Sequence, residues 1–185
     1  MELVERLERS ISEARGVLAQ TSPDQYGMPT PCSMWDVRQL VNHTIGAMVM
    51  FGDALTKGEA DMSKLMGDLI GDDALSSFDA AAAGMVAAFR SPGALDGMVK
   101  LPFAELPAGF GIQLVADDVL VHGWDLAKAI GADVNWDQEL ASETLDFVQS
   151  SFPPEMRGDQ FEAEVPVPAN VDAMTQLVGA LGRQP

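Results

Sequence analysis

The chain holds two histidines, His43 and His122, and each falls in a stretch whose apolar spacing predicts a long helix. Asp118 precedes His122 by one helical turn. At about 100° per residue the two side chains are about 40° apart around the axis, so they can converge on one point in space. Asp117 projects about 100° away from Asp118 and farther from His122, which makes Asp118 the better candidate. Two imidazoles and one carboxylate are a common ligand set for zinc, with ligand distances of about 2.0–2.2 Å and at least one coordination position open. Iron or nickel suits the same set. No fourth protein ligand is evident, since the lone cysteine, Cys32, lies in a predicted loop. Three ligands with an open position is the catalytic arrangement rather than the closed structural one. The alternative is an ordinary hydrogen-bonded Asp–His pair and an unrelated, partly buried His43.

The surroundings of these residues are also informative. Val115, Val119, Leu126 and Ile130 define an apolar arc, with His122 at its edge and Asp118 and Asp125 a little farther round. In the earlier stretch, Arg38, Asn42 and Asp53 mark a solvated arc, and His43 lies across the apolar stripe from it, near Ala47 and Met50. All three candidates are therefore expected on helix flanks, where two helices meeting in a bundle leave a groove open to water. Asp125 is either an acceptor orienting the His122 imidazole or a solvated or intrahelically paired carboxylate. Trp35 and Trp124 are expected to anchor helix contacts, with a pocket wall as the alternative. Cys32 precedes a helix N-terminus that would lower its pKa, although a buried structural thiol is the simpler expectation.

The elements that must position these residues follow from periodicity and breakers. Leu3, Leu7, Ile11, Ala14 and Leu18 predict a helix from about Glu2 to Ala19. Residues 21–31 are rich in Pro and Gly and predict a loop. Ser33 followed by Asp36 resembles a helix start, with Asp36 in the first turn, and predicts a second helix from about Met34 to Leu55. Gly58 to Gly71 is undecided between loop and helix. The helical pattern returns from about Asp72 to Phe89 and stops before Pro92-Gly93. Met98 to Phe103 reads as a short extended segment that nearby prolines confine to an edge or a loop. A long helix from about Ala108 to Ile130, ended by Gly131, carries Asp118 and His122. Shorter helices are predicted over Asp137–Ser150 and Val171–Leu181, with Val165 to Pro168 extended between them. Long helices without convincing strands predict an all-α, four-helix bundle with short additional helices, forming a single domain over residues 1–185.

Composition narrows the function classes. With 28 acidic and 11 basic residues the formal net charge is −17, a field that repels nucleic acid and anionic membrane surfaces alike. No apolar run approaches the ~20 residues needed to span a bilayer. The charged first residues do not read as a secretory leader, so a cytoplasmic protein is expected. One cysteine allows no internal disulfide. The sequence shows no phosphate-binding glycine loop and no nucleophile elbow. Ala-rich helices are compatible with a monomer or a homodimer.

The stretch from Thr30 through Trp35-Asp36-Val37 to Asn42-His43, and that from Asp118 through His122-Gly123-Trp124-Asp125 to Ala127, resemble the metal-binding domain of mycothiol-dependent maleylpyruvate isomerases. That family belongs to the DinB-like superfamily. The closing Gly182-Arg183-Gln184-Pro185 resembles an actinobacterial branch of uncharacterised metal-binding relatives. The resemblance implies an up-down-down-up four-helix bundle holding one divalent metal through His43, Asp118 and His122. The isomerases carry glutamate at the acidic position, where this chain has the shorter Asp118. They also carry a separate C-terminal domain, which is expected to be absent here, and maleylpyruvate isomerisation itself is therefore not the expected reaction. The implied cofactor is a divalent ion, zinc first with nickel or iron as alternatives, together with mycothiol or a similar low-molecular-weight thiol as cosubstrate. The expected partner is a small electrophilic substrate undergoing S-transfer or isomerisation. The alternatives are a metal-dependent hydrolase and a non-catalytic metal or small-ligand binding protein.

Overall fold

The computed structural model describes residues 1–63, 67–152 and 162–185. Two compact units divide the chain, Met1–Ala132 and Asp133–Pro185. The first contains helices α1 (Leu3–Leu18), α2 (Val37–Lys57), α3 (Ala74–Phe89) and α4 (Ala108–Ile130), with a hairpin of strands β1 (Met98–Lys100) and β2 (Glu105–Pro107) before α4. The second contains α5 (Gln138–Ser151) and α6 (Ala173–Ala180).

Helix starts are written in side-chain oxygens. Asp36, Asp73, Asp137 and Asp172 each precede a helix and accept hydrogen bonds from backbone N–H groups of its first turn. At α2, Gln39 reaches back to the Asp36 N–H and completes a capping box. The helix therefore begins at Val37, three residues later than the Ser33 signal predicted, because Asp36 is the cap itself and not a first-turn residue. Gly131 ends α4 in the left-handed conformation, at φ 70°.

Contacts within the first unit fix the order and direction of its four helices. Leu3 lies against Gly109 and Ala14 against Gly123, so α1 and α4 run parallel. The backbone of Met85 meets Gly52, and Asn42 and Arg38 near the start of α2 bond to Leu69 and Asp68 just ahead of α3, so α2 and α3 also run parallel. The pairs Glu8–Arg90 and Arg15–Asp79 make α1 and α3 antiparallel. Phe51 beside Gly111 and His43 beside Asp118 do the same for α2 and α4. This is the up-down-down-up four-helix bundle. Its interior is filled by Leu7, Leu40, Ile45, Met48, Met85, Ile112 and Leu120, all fully buried and each stabilising by about 1.5–3 kcal/mol.

Met98 to Lys100 is a true strand, paired antiparallel with Glu105–Pro107. Pro102 and Phe103 occupy the turn, closed by the Leu101 N–H donating to the Ala104 carbonyl at 2.8 Å, so the proline sits where no ladder bond is needed. In the second unit, Val165 to Pro168 lie outside any helix, and the Val165 N–H donates to the Gly179 carbonyl at 2.9 Å. The undecided stretch Gly58–Gly71 includes three residues, 64–66, outside the described set.

Candidate metal centre

Two helices place the three candidate residues. His43 stands two turns into α2, behind the Asp36 cap. Asp118 and His122 stand mid-way along α4, one turn apart. The loop ahead of α2 is pinned by a bridge between Pro29 and Asp36 and by the Val37 N–H donating to the Met28 carbonyl at 3.0 Å. Within it the Thr30 hydroxyl donates to the Trp35 carbonyl at 2.8 Å. This fixes Trp35 over the site. Its ring stacks on His43, with centroids 4.2 Å apart and planes inclined by 28°. It meets His122 edge-on at 5.5 Å.

The three predicted side chains converge. Asp118 Oδ1 lies 3.4 Å from His43 Nε2 and 3.4 Å from His122 Nε2, and one donor atom from each residue lies within 4.8 Å of the other two. His122 is buried rather than at an edge, because α1 and α2 cover α4 from both sides and enclose nearly every residue from Val115 to Ala127 except Asp118. The His43 and Asp118 side chains retain 25% and 28% exposure, so the centre opens to water on their side only. Asp125 is fully buried, and its Oδ2 lies 3.0 Å from His122 Nδ1. Asp117 points away from the centre, as the helical angle predicts, and pairs with the buried Arg6 of α1.

Electrostatics tie these groups together. Burial pushes the His122 pKa down, but the Asp118 carboxylate beside it, helped by hydrogen bonding to Asp118 and Asp125, raises it from 6.5 to about 9. Burial pushes the Asp118 carboxyl up, but His122 and then His43 outweigh it and hold it well below the usual carboxylate range.

Residues 7–127 match the family described as the mycothiol maleylpyruvate isomerase N-terminal domain. The chain belongs to this family. Two uncharacterized proteins of Mycobacterium tuberculosis, from strains CDC 1551 / Oshkosh and ATCC 25618 / H37Rv, are each 35% identical over 169 residues, 90% of this chain and 90% of the relative. Among solved structures, a mycothiol-dependent maleylpyruvate isomerase superposes with a TM-score of 0.57 at 19% identity, over 78% of this chain and 68% of that one. A histidine-to-alanine mutant of such an isomerase gives 0.58 at 18% identity with the same coverage. At these identities the likeness is one of fold.

The residues of this family member fit a divalent ion on two observations. Two donors each about 2.1 Å from a tetrahedral ion stand about 3.4 Å apart, which is the spacing from Asp118 Oδ1 to each imidazole. An N–H···O bond is usually shorter, about 2.9–3.0 Å. Asp118 Oδ2 is buried with no hydrogen-bond partner among the described residues, which a carboxylate tolerates poorly without a cation nearby. The ion identity is left open by this geometry, because two nitrogens and one oxygen suit several divalent metals.

Trp35 and Asp125 are parts of the site that sequence reasoning only half identified. Trp35 precedes α2, so helical periodicity says nothing of where its ring points. Trp124 is buried in packing, with the Lys128 ammonium 5.4 Å from its ring centroid, in keeping with an anchoring role. Cys32 is half-buried, and its carbonyl accepts from the Trp35 N–H at 2.9 Å.

Proposed function

We propose that His43, Asp118 and His122 hold one divalent metal ion, zinc first, and that the protein is a metal-dependent enzyme acting with a low-molecular-weight thiol of the mycothiol type. The reaction is S-transfer to, or thiol-assisted isomerisation of, a small electrophile. The observation that carries this reading is the convergence of three donor atoms within 4.8 Å, one of them on the buried His122 and two on the part-exposed His43 and Asp118. The thiol half of the reading rests on membership of a family named for mycothiol. When bound, a divalent ion lowers the pKa of a coordinated thiol and makes thiolate available at neutral pH.

The chain's own residues do the rest. Trp35 covers His43 and keeps water from that face of the imidazole. The α1–α4 contact closes the inner side, so a ligand can enter only past the exposed edges of His43 and Asp118. Among the described residues no helix is long and apolar enough to cross a membrane, consistent with a cytoplasmic small-molecule enzyme, monomeric or homodimeric.

The test is metal content of the purified protein and of His43→Ala and His122→Ala, followed by thiol consumption assays. About one equivalent in the wild type, lost in both variants, is expected. Activity toward thiol and electrophile that survives complete metal removal would overturn the enzymatic part. Metal without any thiol dependence would favour a hydrolase or a binding protein.

A further inference from the structure

We propose that Asp125 is the positioning residue of this centre, fixing Nδ1 of His122 as the hydrogen-bearing nitrogen so that Nε2 is the atom presented to Asp118 and His43. Asp125 is 0% exposed and lies one turn beyond His122 on α4, with its Oδ2 3.0 Å from His122 Nδ1. A carboxylate in such a place accepts and does not donate, so the hydrogen must be on the imidazole. Rotating the ring by half a turn would set a carbon against the carboxylate and forfeit a charge-assisted bond in a buried site. Nδ1 is thereby engaged, and Nε2, 3.4 Å from Asp118 Oδ1, is the nitrogen left for chemistry.

The two imidazoles are held by different means. His43 is located by the face of Trp35, which steers the ring plane but does not choose between its nitrogens. His122 is held through a named atom. Its partner sits on the same helix, so the Asp125–His122–Asp118 series is set by α4 alone and does not depend on how α2 packs. A buried carboxylate is costly unless it is balanced, and Asp125 lies in the interior facing the one histidine that is itself buried.

The metal-affinity arm of the test rests on the metal reading above, whereas the imidazole arm does not. With two histidines in the chain, ¹⁵N-histidine labelling gives four ring nitrogens, and His43→Ala assigns them. In the metal-free protein, the proton on His122 Nδ1 is expected to exchange slowly with solvent in wild type and in Asp125→Asn, and to exchange fast in Asp125→Leu, where nothing accepts it. Cobalt(II) affinity is expected to fall about 10- to 100-fold in Asp125→Leu and to stay within about threefold of wild type in Asp125→Asn, whose amide oxygen still accepts. Should Asp125→Leu not fold, Asp125→Ala makes the same comparison. A wild-type His122 whose Nδ1 bears no protected proton overturns the proposal, as does full cobalt affinity in Asp125→Leu. If cobalt binds none of the proteins while the Nδ1 proton is protected in wild type and loses that protection with Asp125, positioning stands and the metal reading fails.

Discussion

The indole of Trp35 lies nearly parallel to the imidazole of His43, with centroids 4.2 Å apart, although the two residues belong to different elements. A stacked aromatic pair is stabilised by about 0.5–1.5 kcal/mol beyond its buried area, which corresponds to about 2- to 12-fold in an equilibrium constant. Trp35→Ala is therefore expected to weaken divalent-metal affinity by about that factor, and Trp35→Phe to restore most of it. Isothermal titration with zinc measures both. Equal affinity in all three proteins would reduce Trp35 to loop packing.

The Asp118–His122 pair makes a pH prediction with a definite sign. In the metal-free protein the folded-state pKa of His122 is raised from 6.5 to about 9. Its contribution to stability is thus complete below about pH 6.5 and is lost as pH rises through about 9, a change on the order of 3 kcal/mol. Asp118 titrates in the opposite sense. Its carboxyl is lowered from 3.8, so its contribution is present above that value and lost as pH falls through the depressed one. Chemical denaturation of chelated protein across this range is expected to show the alkaline decline, which Asp118→Asn should largely remove. A metal must displace the proton on His122 Nε2, so zinc affinity is expected to rise about tenfold per pH unit up to about pH 9. A flat profile would contradict the raised pKa.

The helices are legible because they are periodic, and so is the pairing of Asp118 with His122. Asp118 and His122 lie one turn apart on one helix, and helical geometry alone separated Asp118 from Asp117, which turned out to face Arg6. Burial was harder to read. The apolar arc of α4 taken alone puts His122 at its edge, yet the close approach of α1 at Gly123 covers the adjoining face. Trp35 was opaque for a different reason. Its place depends on hydrogen bonds of Thr30 and on the bridge from Pro29 to Asp36, which no period encodes. The extended segment at Met98 is legible, but its partner strand Glu105–Pro107 is too short to carry a period and shows only in the pairing.

That close approach is itself testable. A Cβ built on Gly123 would lie 3.0 Å from both Cα and Cβ of Ala14, closer than side chains normally pack. Both obstructing atoms are fixed to the α1 backbone, so relief requires the helix to move. Gly123→Ala is expected to destabilise the fold by about 1–3 kcal/mol despite its better helix propensity. Because His122 is the neighbouring residue, metal affinity should fall with it. Thermal unfolding together with a zinc titration separates this outcome from a neutral or stabilising substitution, which would show that α1 yields freely.

A second link between α1 and α4 is ionic. Arg6 is 4% exposed, binds the Asp117 carboxylate and donates from Nη1 to Gln113 Oε1 at 3.2 Å. Taking two charges out of water costs nearly as much as their attraction returns, so the intact pair contributes little net stability. Removing one member is another matter, because the remaining charge stays in the interior. Arg6→Ala is expected to cost about 3–5 kcal/mol, whereas Arg6→Met with Asp117→Leu is expected to stay close to the wild type in denaturant midpoint. Asp117 adjoins Asp118 in the chain but faces away from it, so the double variant should keep its zinc affinity while Arg6→Ala loses stability. Loss of zinc affinity in the double variant would show that the ion pair sets the register of α4 at the metal centre as well as holding α1 against it.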